Sequence, residues 1–228
     1  MEIIFTDVDY EEGVLEKLQP ASENIPEWYK KAKSYLSESR IPDINGEAIA
    51  TIKQCMPLLD MMTAGYLLVT HCDLFVQQIN KQPYFQWVGN EAVAFQPIEQ
   101  TQGHPAFNGQ GAARFLHPWS IKTPKGYSIL FLQPSHRDTP FNVLPGIIDT
   151  DNYNAPTNTF FTLKDPKFTG LIPKGTPYAQ IIPFKRENWT SKLGGNKEKK
   201  QVKATVEKRG LIFFNRYRTF WWNKKIYK

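Results

Sequence analysis

Cysteine is scarce: the 228 residues hold only Cys55 and Cys72, too few for a four-ligand zinc site or a disulfide scaffold, so two buried free thiols are expected. Long hydrophobic runs are missing too. The most apolar stretch, Met56 to Val69, contains Asp60 and falls short of the roughly 20 residues a membrane helix needs. The opening MEIIFTDVDYEEG is acidic and has neither a cationic region nor a cleavage site, so no signal peptide is expected. Glycine (14) is outnumbered by proline (17), which argues against long uninterrupted helices. No Gly-x-Ser-x-Gly occurs, which removes the hydrolase nucleophile elbow. Gly103, Gly109 and Gly111 come without a Lys-Ser/Thr pair, which removes the familiar phosphate-cradling loop.

What is present is aromatic surface and an uneven charge. Fifteen Phe, ten Tyr and six Trp can fill a sizeable core. Residues 185–228 carry 14 Lys or Arg against 3 Glu, a balance of +11, whereas residues 1–184 carry a balance of −5. This reads as an acidic body with a basic, aromatic tail.

Element signals follow the same division. Glu2 to Asp7 reads as a strand. Asn24 can cap a helix over 26–36, where Pro26 suits the first turn, and a second short helix is expected at 57–63 with Gly65 near its end. From Tyr66 onward, runs such as YLLVT, DLFVQQI, YFQWV, AVAF, ARFLHPWSI, YSILFLQ, GIID, NTFFTL, FTGLI and YAQIIPF alternate with turn signals, and 96–111 reads as a long loop. That rhythm predicts a mainly β fold, a β-sandwich or barrel with two short N-terminal helices. The expected organisation is a β-rich domain over 1–190, a flexible basic linker over 191–201, and basic aromatic strands or an arm over 202–228 with a turn at Lys208 to Gly210.

The segment 126–184 resembles the core of the dUTPase and dCTP deaminase family. Gly146, Ile148, Asp149, Asp151 and Tyr153 match its Gly-x-Ile-Asp-x-Asp-Tyr segment, with Asn152 inserted, and Gly175, Ala179 and Gln180 match its Gly-x-x-x-Ala-Gln strand. The resemblance implies a pyrimidine pocket in which Asp149 activates water as a general base and Tyr153 stacks under a deoxyribose. It further implies that Asn142 meets the base, that Ser135, Arg137 and Gln180 complete the nucleotide site, that Mg²⁺ enters with the phosphates, and that the chain forms trimers. The sequence departs from the family at the phosphate segment, where Pro-Arg-Ser-Gly is replaced by Pro134-Ser135-His136-Arg137, and the C-terminal Gly-rich flap is missing. ASENIPEWYKK (21–31) and TIKQCMPLLDMMTAGY (51–66) also resemble an uncharacterised protein family of large tailed bacteriophages, which implies a location in the host cytoplasm or the virion.

Three functions are compatible with these residues. One is a non-enzymatic viral binding or assembly protein, with no cofactor, whose Arg216, Arg218, Trp221 and Trp222 dock a protein partner or a second copy. The same tail could instead neutralise phosphates and stack bases of nucleic acid, a use ranked below docking. The second function is a pyrimidine nucleotide hydrolase with Asp149 as base. The third is an iron-dependent oxygenase, in which His71 and Asp73 face one side of a strand and His117 or His136 completes a facial triad.

Overall fold

Period-two alternation organises most of the chain. A computed structural model describes residues 1–7, 15, 18–36, 50–107, 111–210 and 216–228. Twelve strands occur among them: β1 (Ile4–Asp7), β2 (Tyr66–Val69), β3 (Leu74–Ile79), β4 (Gln82–Gln86), β5 (Val93–Gln96), β6 (Ala112–Lys122), β7 (Tyr127–Leu132), β8 (Phe141–Val143), β9 (Gly146–Ile148), β10 (Pro156–Leu163), β11 (Gly170–Ile172) and β12 (Pro177–Lys185). The helices are α1 (Glu27–Lys31), α2 (Met56–Thr63), α3 (Ile98–Thr101), α4 (Asn196–Gly210) and α5 (Arg216–Phe220). None of them is long and apolar enough to cross a membrane.

The chain divides into two compact units that do not follow the expected order of body, linker and tail. The first comprises Met1–Asn24, Ala64–Arg186 and Tyr227–Lys228; the second comprises Ile25–Thr63 and Glu187–Ile226.

The first unit is mainly β, with every strand pairing antiparallel. One sheet runs β1-β6-β10-β8 with β5 also on β6, a second runs β11-β3-β4, and a third runs β2-β12-β7-β9. Along β10, Thr157, Thr159, Phe161 and Leu163 point inward while Asn158 and Phe160 face out, as the pleat requires. The three sheets contribute to one core: Phe115, Ile121 and Phe161 from the first, Leu74, Val76 and Phe85 from the second, Leu68, Ile129 and Ile181 from the third. Phe161 is fully buried, stacked 4.0 Å from Phe115 and edge-on to Phe141 and Phe85, so truncating it to Ala would cost about 3–5 kcal/mol. The β3–β4 hairpin turns on Asn80 and Lys81, both at positive φ, the two-residue turn whose twist matches its strands.

Gly65 ends α2 in the left-handed region, and a Cβ there would lie 1.8 Å from the Ile181 carbonyl oxygen. Only glycine lets the chain leave the helix and enter β2 so close to β12. The predicted loop 96–111 contains α3 and a short turn of helix at Pro105–Phe107; residues 108–110 lie outside the described set. Strand β8, which the sequence pattern does not announce, carries the chain from the third sheet to the first and back between β7 and β9.

In the second unit α1 stops early. The Lys53 ammonium donates to the carbonyls of Lys30 (2.9 Å) and Ala32 (2.8 Å), satisfying the end of a five-residue helix where a longer one was expected. The C-terminal segment is corrected from linker and strands to helix. Residues 196–210 form α4, because Lys, Glu, Gln and Ala dominate this stretch and Glu198 reaches back to cap the Gly195 N–H at 2.9 Å. The second expected strand, LIFFNRYRTFWW over 211–222, is corrected where it is described, since residues 216–220 form α5; residues 211–215 lie outside the described residues. Cys55 is exposed at the end of a short helical turn and Cys72 is half-buried, so the expected burial of both thiols is corrected; both are free.

Candidate functional site

The carboxylates singled out in the sequence sit on the turn that follows β9. Pairing of Ile148 with Ile129 delivers Asp149 to the edge of β7, and its carbonyl accepts from the amides of Asn152 (3.1 Å) and Tyr153 (2.9 Å). Ser128 Oγ donates to Asp149 Oδ1 at 2.6 Å. Arg186, just past β12, closes the cluster: its Nη1 lies 3.1 Å from Asp149 Oδ1 and donates to Asp151 Oδ1 at 2.8 Å, while Nη2 bonds Asp151 Oδ2. Gly126 N–H donates to Asp151 Oδ2 at 2.8 Å. These donors, the Arg186 hydrogen bond foremost, hold the Asp151 carboxyl down to about 2, and the same bond pushes the Arg186 guanidinium up.

The two acids therefore differ in availability. The Asp151 side chain is 3% exposed and bound on both oxygens, whereas that of Asp149 is 59% exposed. Tyr153 is 49% exposed on the same turn. Asp149 and Tyr153 are thus brought together on an open surface.

A second cluster holds the other candidates. Gln180 is completely buried; its Oε1 accepts from Ser135 N–H at 2.9 Å and its Nε2 donates to Ala64 O at 2.7 Å. Arg137 turns inward, with Nη2 donating to the carbonyls of Ala21 and Asn24 (both 2.9 Å) and Nη1 to that of Ser135 (3.1 Å). Burial lowers its guanidinium to about 10, still protonated at neutral pH. The left-handed His136 (φ 58°) makes the turn that aims Arg137 this way.

Strand register separates the two clusters. Gln180 pairs with Leu132 and Phe184 pairs with Ser128, so four residues, or about 13 Å, lie between them along the β7–β12 ladder. Asn142 is exposed on β8 opposite Thr162, in a different sheet from Asp149 and Gln180. The structure thus joins Asp149 with Tyr153, and Ser135 with Arg137 and Gln180, without merging the pairs.

The facial triad does not assemble. Asp73 Oδ1 accepts the Lys174 N–H at 2.7 Å and caps the turn before β12. His117 is buried against Thr157, and burial lowers its imidazole to about 4. Among the described residues no three His, Cys, Asp or Glu side chains could hold a metal ion, and between Asp149 and Asp151 the cation is a guanidinium. The iron-dependent oxygenase is set aside on this geometry.

In the second unit, Trp222 Nε1 donates to both carboxylate oxygens of Asp60 (2.9 and 3.0 Å), Lys225 pairs with the same carboxylate at 2.6 Å, and the Arg218 guanidinium lies 5.9 Å from the Trp222 ring. Trp221 and Trp222 are half-buried. These contacts tie Arg218, Trp222 and Lys225 to their own unit.

Sequence reasoning missed Arg186, Ser128 and Gly126. The signal was a cation directly after the Ala-Gln strand, but it lies 35 residues from Asp151 and was counted only as part of the basic tail.

No protein-family model matches this chain, and no curated protein does. Among solved structures it is similar to dUTPases of Staphylococcus phages. One is a mutant of the phage 80alpha dUTPase with dUpNHpp, at 15% identity over 58% of this chain and 75% of that one, with a TM-score of 0.30. Another is the dUTPase from phage phi11 of S. aureus, at 17% identity over 71% of this chain and 92% of that one, with a TM-score of 0.31. A mutant of the phi11 enzyme, described with a structural Mg(II) ion, gives 16% identity, the same coverage and a TM-score of 0.31. At these values the likeness assigns no role to any residue here.

Proposed function

We propose that this chain is a non-enzymatic bacteriophage protein that uses a dUTPase-like β-framework for binding or assembly, in the host cytoplasm or the virion. One observation carries the reading: the side chains that the resemblance assigns to the nucleotide are hydrogen-bonded to groups of the fold itself. Arg137 is bonded to the carbonyls of Ala21, Asn24 and Ser135, and Gln180 bridges two backbone groups. The Asp149 oxygen nearest β7 is bonded to Ser128 and Arg186. An anion-binding site would need donors free to turn toward a ligand, and rearranging these would cost the hydrogen bonds that hold the loop 133–140. A homotrimer is the assembly this framework suggests, with protein contact as its output.

The rival reading, a pyrimidine nucleotide hydrolase using Mg²⁺, keeps one specific support: Asp149 and Tyr153 are exposed side by side. A thermal-shift series with dUTP, dCTP and dTTP, each with and without Mg²⁺, separates the two. A ligand that binds only the folded state stabilises it by about 2.7 kcal/mol at a hundred times its dissociation constant. We expect no shift with any nucleotide, and a mass about three times that of the chain by light scattering. A shift with one pyrimidine nucleotide that disappears in Asp149→Asn would overturn the binding-protein reading.

A further inference from the structure

Charge divides between the units as sharply as secondary structure does. The second unit carries sixteen Lys and Arg against eight Asp and Glu, a net +8, while the first carries twelve against fourteen, a net −2. Within the second unit the excess concentrates in α4. Every side chain from 196 to 208 is exposed, so the helix buries no apolar face of its own. Lys197, Lys200 and Lys203 follow one another at i, i+3 and i+6 along one face, with Lys199 beside them. Like charges at that spacing destabilise a helix, and a 15-residue helix without a packed face is marginal in water. Such a stripe is stabilised when an external anion neutralises it.

The chemistry of the unit narrows the anion. Val202 and Val206 are the only aliphatic residues on α4 larger than alanine, too little apolar surface to insert into a bilayer. Aromatic side chains lie nearby in the sequence and are open to solvent: Trp189 is 84% exposed and Tyr217 46%, while Phe220, also 46% exposed, carries the Lys208 ammonium 5.0 Å from its ring centre. Lysines that track a phosphate chain, together with exposed rings that accept unpaired bases, are the two components of sequence-tolerant single-strand binding. We propose that the second unit binds single-stranded nucleic acid, with the α4 lysines on the phosphates and Trp189 as a stacking platform. This goes beyond the binding role proposed above and does not depend on it, because it uses none of the residues of the β-unit.

Fluorescence anisotropy of the full chain with labelled oligo(dT) of about 30 nucleotides tests it, titrated between about 50 and 200 mM salt. Affinity should fall linearly on a log–log plot. In Lys197→Glu/Lys200→Glu/Lys203→Glu the slope should become shallower by about 2, with binding at low salt at least about tenfold weaker. Trp189→Ala should weaken oligo(dT) about tenfold and leave a duplex of the same length little changed. Bound oligonucleotide should also raise the helical circular dichroism signal of the wild type and not of the lysine variant. Because the substituted side chains are exposed, all variants should melt with the wild type. Absence of binding at the lowest salt, or binding unchanged by the lysine substitutions, overturns the proposal. So does equal affinity for duplex and single strand, or binding to phosphatidylglycerol vesicles in place of DNA.

Discussion

Arg186 and Arg137 lie in the same β-rich unit, yet the first is held by carboxylates and the second donates to carbonyl oxygens. Carboxylates repay the cost of ordering a guanidinium with charge, and Arg186 is pushed above its ordinary range. Carbonyls repay it only with hydrogen bonds, and burial draws Arg137 down to about 10. The contrast identifies Arg137 as a buttress for the loop 133–140 and Arg186 as the brace of an acidic turn. Neither is left as an open anion receptor, and the functional proposal rests on that.

The contrast can be broken from the loop side first. Gln180→Leu keeps the volume but strips partners from the Ser135 N–H and the Ala64 carbonyl, and should cost about 3 kcal/mol in urea unfolding. A cost below about 0.5 kcal/mol would show that the loop is held by other means. Arg137→Met should follow at about 2 kcal/mol, since it leaves three carbonyls without the donor. A fully stable Arg137→Met protein would contradict the buttress role.

Arg186→Met should stand apart from these two in changing the pH profile of stability. The Asp151 carboxyl is lower in the folded state, about 2 against 3.8, so its stabilisation is present above pH 3.8 and is lost as pH falls toward 2. Wild type should therefore lose this contribution over that acid window, and Arg186→Met should lose most of the slope. Parallel acid-unfolding curves for the two proteins would show that the brace contributes nothing.

How much of this was legible depended on range and period. The strand runs were readable because inward and outward residues alternate, as in Thr157 to Leu163, and because turn residues bound them. Strand β8 was not, since its three residues are too few for alternation to register as a signal. Helix α4 was misread because its side chains are polar nearly all round and the alternation in VKATV imitates a strand. The resemblance put Gln180 in a nucleotide site; that its amide instead bridges the Ser135 N–H and the Ala64 carbonyl follows from the loop 133–140 folding over β12, which no local pattern announces. The Arg186 brace was hidden by sequence distance, and the inward turn of Arg137 depends on the φ of His136, which no residue pattern specifies.

The measurement that bears most directly on the central claim is steady-state pyrophosphate release from dUTP by purified wild-type protein with Mg²⁺, with Asp149→Asn as its control. The account predicts no release above buffer from either protein. Turnover by the wild type that vanishes in Asp149→Asn would show that the exposed carboxylate is a working base, and the non-enzymatic reading would be wrong.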